Sequence, residues 1–152
     1  MDLDKIIHEE NTLQFDTFSH SDMKRLALAM IDAIDSENLY LSFEIEINRL
    51  VVFRYMPHGT TAFNKFWMKK KRNTVNATGK STLRFWKEVE AIGIKRDVTI
   101  EPKSDLVLCG GEFPIKIKNG CIIGAIATSG LNDLDDHNFI VKCLETHFNS
   151  SS

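Results

Sequence analysis

Apolar positions recur along the chain with two periods, and the changes between them divide it into elements. Leu3, Ile6, Ile7 and Leu13 form a rough helical stripe, which predicts a helix over 3–15. Ser21 offers an N-cap to a second helix, where Met23, Leu26, Ala27, Met30, Ile31 and Ile34 keep helical spacing. The period then falls to two. Leu41, Phe43, Ile45 and Ile47 alternate with Ser42, Glu44 and Glu46, the pattern of a half-buried strand. Asn48-Arg49 forms a tight turn into a return strand over 50–56, which Pro57 and Gly59 end. A helix follows over 61–76. Gly79 breaks it, and Ser81 caps a fourth helix running to about Ile92, with Leu83, Phe85, Trp86 and Val89 apolar.

Three short strands come next, over 106–109, 113–118 and 121–128, and Asn119-Gly120 joins the last two as a hairpin. Asn132 caps a closing helix that carries His137, Ile140, Val141, Leu144 and Phe148 on one face. Hairpin-joined strands are antiparallel, so the order excludes a βαβ array. The expectation is an α+β domain with a five-stranded antiparallel sheet sandwiched between helices.

Composition narrows the function classes. The 152 residues carry 19 basic and 21 acidic side chains, a net charge of -2, which gives no global attraction to nucleic acid or an anionic membrane. The 43% hydrophobic content suits one globular domain, with a core expected over about 10–148 and a frayed Ser-rich end at 150–152. Three scattered Cys without a Cys-x-x-Cys pair make neither a disulfide framework nor the usual zinc signature. No signal peptide and no bilayer-length apolar run is readable, so the expected compartment is the cytoplasm.

Several segments offer chemistry. Gly79-Lys80-Ser81 echoes a phosphate loop, but Thr stands at position 74 where a glycine is needed, and no strand leads in. The run Lys69-Lys70-Lys71-Arg72 reads as a solvated helix face or an anion grip, and Trp67 beside it suits a planar anion. Gly110-Gly111 ends a strand and serves equally as a tight connection or as a pair of exposed amides. The small residues from Gly124 to Gly130 leave room for a packed helix or a ligand. His137, near the start of the closing helix, faces the sheet; such a residue is ordinarily a half-buried His bonded to a carbonyl. No nucleophile-base arrangement is readable from spacing.

Taken in order, Asn64-x-x-Trp67, Lys70-Lys71-x-Asn73-Thr74-Val75, Gly110-Gly111-x-Phe113-Pro114-Ile115, Gly124-Ala125-Ile126, Ser129-Gly130-Leu131 and Asp136-His137 resemble an uncharacterised branch of the haem-degrading-domain superfamily. That superfamily includes the glycolate-operon accessory protein, an extracellular haem-binding sensor and the C-terminal domain of a corrinoid adenosyltransferase. The resemblance implies a profilin-like α-β-α sandwich, self-assembly into dimers or larger rings, and a cytosolic setting. It implies haem as a cofactor only through relatives. Two departures stand out: Cys109 occupies the place of a His before the Gly-Gly pair, and Asn76–Ser81 replace an aromatic residue and a Ser pair.

The expected function is a small-ligand-binding oligomer that holds an anionic or planar molecule beneath Gly110-Gly111 and the 129–137 segment. Lys71 would supply charge, His137 a hydrogen bond or ligation, and the Gly110 and Gly111 amides anion contacts, with Trp67, Phe113 and Ser129 completing the lining. The alternatives are an oxidative haem-degrading or haem-binding protein and a purely structural self-assembling module. No metal ligand set is expected, and the partners are further copies of the chain and a small molecule, without nucleic acid or membrane.

Overall fold

The computed structural model describes residues 2–150, so Met1, Ser151 and Ser152 of the Ser-rich end lie outside it. Within that range the chain forms α1 (Leu3–Thr12), α2 (His20–Ser36), β1 (Ser42–Ile47), β2 (Leu50–Tyr55), α3 (Ala62–Thr78), α4 (Thr82–Ala91), a 3-10 turn at Glu101–Lys103, β3 (Glu112–Ile117), β4 (Cys121–Ser129) and α5 (Asp133–Ser150). The strands make one antiparallel sheet in the order β2-β1-β4-β3.

Local chemistry accounts for most of the ends. Ser19, not Ser21, caps α2: its hydroxyl accepts the Asp22 amide, and Asp22 accepts the Ser19 amide in return, closing a capping box. Asn48 and Arg49 both take positive φ, as the two-residue hairpin between β1 and β2 requires. Gly79 ends α3 in the left-handed conformation. Ser81 and Asn132 cap α4 and α5 as their sequence positions suggest.

The sheet has four strands, not the expected five. Residues 106–109 pair with no strand, and α3 instead holds this segment and the residue before it through side-chain bonds to the backbone. Thr74 Oγ1 accepts the Val107 amide at 3.0 Å, and Asn73 Nδ2 donates to the Asp105 carbonyl at 3.1 Å. The first helix also stops short of residue 15. Phe15 instead bridges the outer edge of β3, exchanging two 2.8 Å hydrogen bonds with Lys116 and Lys118. That bridge covers an edge that would otherwise be open to pairing.

Each face of the sheet packs against helices, and the two layers differ in kind. On one side Phe43, Ile45, Ile47, Phe113, Ile115 and Ile126 meet the apolar stripes of α2 and α5. On the other, α3 lies across β4, where Ala125 and Ala127 leave room for it. The polar side of β1 is therefore buried rather than solvated. Glu44 and Glu46 are sealed beneath α3, and Arg72 reaches both carboxylates, 3.1 Å from Glu46, while Arg54 of β2 bonds Glu44 at 2.8 Å. The basic run on α3 is thus neither a solvated face nor a free anion grip. Lys70 bonds the Ser104 carbonyl and Arg72 neutralises the sheet, leaving Lys69 exposed.

Candidate functional site

A recess of about 160 Å³ opens between α3, the irregular segment before β3, the end of β4 and the first turn of α5. Trp67 and Lys71 enter it from α3, Cys109 from the segment before β3, Ser129 from β4, and Asp133 and Asp136 from α5. Arg96 reaches in from the loop after α4.

Lys71 is the best-defined group. Its ammonium is buried and donates to the Thr128 carbonyl at 2.7 Å and to Asp136 Oδ2 at 3.2 Å. An ammonium carries three N–H groups, so among the described residues one remains without an acceptor. Burial pulls the Lys71 pKa down, but neighbouring negative charge, on Cys109 once it ionises at high pH and on Asp136, pushes it up by more, so it stays charged at neutral pH. Asp136 Oδ1 accepts the Leu131 amide at 3.0 Å. Burial pushes the Asp136 carboxyl up from its ordinary value, against the pull of Lys71 and that amide. Burial also drives the Cys109 thiol up to about 12, with Lys71 pulling the other way, so the sulfur is a neutral thiol at neutral pH. The Ser129 hydroxyl accepts from Asn64 Nδ2 at 3.1 Å, and among the described residues nothing accepts its hydrogen.

The glycine pair does not line the recess but lies directly behind two residues that do, Asp133 and Lys71. A Cβ on Gly110 would lie 2.1 Å from the Asp133 carbonyl, and one on Gly111 would lie 2.6 Å from Lys71 Nζ. Gly111 also holds φ at +113°, so its absent side chain and its conformation both serve to seat the lysine. The Gly110 amide donates to Asp133 Oδ1 at 3.3 Å, so it is already bonded within the chain.

His137 and Phe113 lie elsewhere. Successive helix residues point about 100° apart, so α5 turns Asp136 to the recess and His137 into the interior. His137 is fully buried, its Nε2 is 2.8 Å from Glu9 Oε1 of α1, and its ring centroid is 5.8 Å from that of Phe113 in the core. The single recess expected to unite this imidazole with the glycine pair is not formed, because α1 packs over the histidine. The structure adds Arg96, Cys109, Asp133 and Asp136 to the site. Asp136 belonged to a noticed motif and Cys109 to a noticed departure. Arg96 and Asp133 carried no local signal, since only the fold brings the 92–100 loop to α5.

Residues 18–145 match the family described as Haem degrading protein HbpS-like. The chain belongs to this family. A UPF0303 protein of Serratia proteamaculans is 34% identical over 155 residues, covering 97% of this chain and 91% of that one. Among solved structures, that of Ybr137w protein superposes with a TM-score of 0.86 at 20% identity, covering 99% of this chain and 90% of the other. A crystal structure of a PduOC:Heme complex superposes with a TM-score of 0.70 at 16% identity, covering 88% and 96%. Those likenesses establish the α+β fold of this HbpS-like chain.

The family name raises haem, and the recess does not fit it. Its volume of about 160 Å³ lies below the roughly 300–1,000 Å³ of drug-sized pockets. The one sulfur present is a neutral thiol, and the nearest expected imidazole is sealed against Glu9. Among the described residues no three His, Cys, Asp or Glu side chains are grouped to hold a metal, and no helix is long and apolar enough to cross a membrane.

Proposed function

We propose that this HbpS-like protein binds a small organic molecule in the recess lined by Trp67, Lys71 and Ser129. The observation that supports the reading is a pair of donor residues with spare hydrogens lining one space. Among the described residues the third N–H of Lys71 and the Ser129 hydroxyl have no acceptor, and Trp67 lines the same recess. A compact molecule with a carbonyl-type acceptor and a flat face meets those groups. Binding is favoured over covalent chemistry, because the two potential nucleophiles are held inactive: Lys71 as an ammonium and Cys109 as a thiol.

The chain is also proposed to self-associate. Phe63 and Phe66 stack with centroids 5.6 Å apart and project from α3 beside Trp67, with Phe63 61% exposed. Neighbouring exposed aromatic rings form a contiguous apolar patch, the kind of surface that marks a protein–protein contact.

Thermal denaturation against a panel of small amides, lactams, carboxylates and hemin tests the binding reading. At least one compact carbonyl compound raises the melting temperature of the wild type. The same compound fails to stabilise Trp67→Ala and Ser129→Ala. Equal shifts in all three proteins, or no shift from any compound, would overturn the reading.

A further inference from the structure

The recess contains two cations, and each already has its anion. Lys71 is paired with Asp136 at 3.2 Å. Arg96 donates through Nε to Glu101 at 2.8 Å and through Nη1 to Asp133 Oδ2 at 2.7 Å. The other oxygen of Asp133 takes the Gly110 amide. Asp133, in the first turn of α5, therefore makes the contacts a bound carboxylate or phosphate would make: one guanidinium, of Arg96, and one backbone N–H, of Gly110. In the lining, Lys71 and Arg96 are balanced by Asp133 and Asp136, and Glu101 behind the recess holds Arg96 from its other side. An entering anion would find no net positive charge in the lining and would have to displace a carboxylate from either cation.

We infer that the recess selects uncharged ligands, and that Asp133 is the residue that keeps anions out by standing where one would bind. This rests on the recess being the binding site and adds the chemical class of its ligand. Arg96 is well placed for the role. Its guanidinium carbon also lies 5.4 Å from the centre of the Trp86 ring, so the side chain is braced from a third side and stays in position when Asp133 is changed. The charge on Asp133 is thus separable from the shape of the site.

The test compares the wild type with Asp133→Asn at fixed ionic strength. Inorganic phosphate is titrated while the Gly110 amide and the Arg96 Nε–H are followed by NMR, and benzamide is titrated against benzoate as a pair matched in shape. Asp133→Asn is expected to bind phosphate at least tenfold more tightly than the wild type, with both reporters moving. The double variant Asp133→Asn/Arg96→Met returns to the wild-type response. Asp133→Ser serves the same purpose should the Asn variant fold poorly. If neither variant gains phosphate affinity, or if the wild type takes benzoate in preference to benzamide, the inference is overturned. Gain of phosphate binding alongside a compound panel that gives no ligand supports the role of Asp133 and removes only the binding function proposed above.

Discussion

Glu112→Gln should make this protein more stable, and increasingly so as the pH rises. Glu112 is a β3 residue whose side chain is sealed between the sheet and α3, and its Oε2 has no hydrogen-bond partner. Burial drives its pKa well above the ordinary 4.5; Glu44 and Glu46 add to the rise, and Arg72 and Lys71 only partly oppose it. The folded protein therefore holds a proton that the unfolded chain releases above about pH 4.5. The sign follows from linkage. The contribution of this group is fully present below the unfolded pKa and is lost as the pH climbs toward the folded one. In that window each pH unit removes roughly 1.4 kcal/mol from the stability of the wild type. Glutamine has nearly the same shape and no proton to lose, so the variant lacks this slope. Urea denaturation followed by circular dichroism at pH 5, 6 and 7 measures both proteins, and titrations common to both cancel in the difference. The advantage of Glu112→Gln should widen with pH, by up to about 1.4 kcal/mol per unit until the pH reaches the folded pKa. Parallel profiles would show that Glu112 is ionised in the folded protein and that the buried polar layer has been misread.

Three further outcomes follow from other parts of the molecule. Gly111→Ala should lower stability by about 1–3 kcal/mol through backbone strain alone, and more through collision with Lys71; a melting temperature equal to the wild type would contradict the seating of that lysine. His137→Ala removes the buried hydrogen-bond partner of Glu9 and should cost roughly 1–3 kcal/mol in chemical denaturation, yet leave the affinity of the folded protein for its recess ligand unchanged; a selective loss of binding would return His137 to the site. Phe63→Glu with Phe66→Glu should reduce the mass seen by light scattering, and an unaltered mass would refute self-association through this patch.

How far the sequence could be read depended on the range of the interactions involved. Helical stripes, the two positive-φ hairpin turns and the Ser81 and Asn132 caps rest on residues within a few positions of one another, and all are visible in order along the chain. The four-stranded sheet was overcounted because residues 106–109 have a strand's composition but find their partners on α3, about 30 positions upstream. The same distance hid the meaning of the Glu44-x-Glu46 alternation and the Lys69–Arg72 run. Each looks solvated alone, but the two glutamates are buried with Arg72 of the run as their shared counter-charge.

The recess divides in the same way. Trp67, Lys71, Ser129 and the glycine pair could be picked out by residue type, since a flat ring, a cation and missing side chains keep their character in any fold. Whether they met, and what they met, was settled by packing. The 100° step along α5 sent Asp136 to the recess and His137 to Glu9, and the loop after α4 carried Arg96 to Asp133. By itself the sequence determined the element types, most of their boundaries and the chemical repertoire. Only the tertiary structure decided which charges cancel, because ion pairing depends on separation in space, and residues such as Glu9 and His137, or Arg96 and Asp133, become neighbours only once the sheet and its helices have assembled.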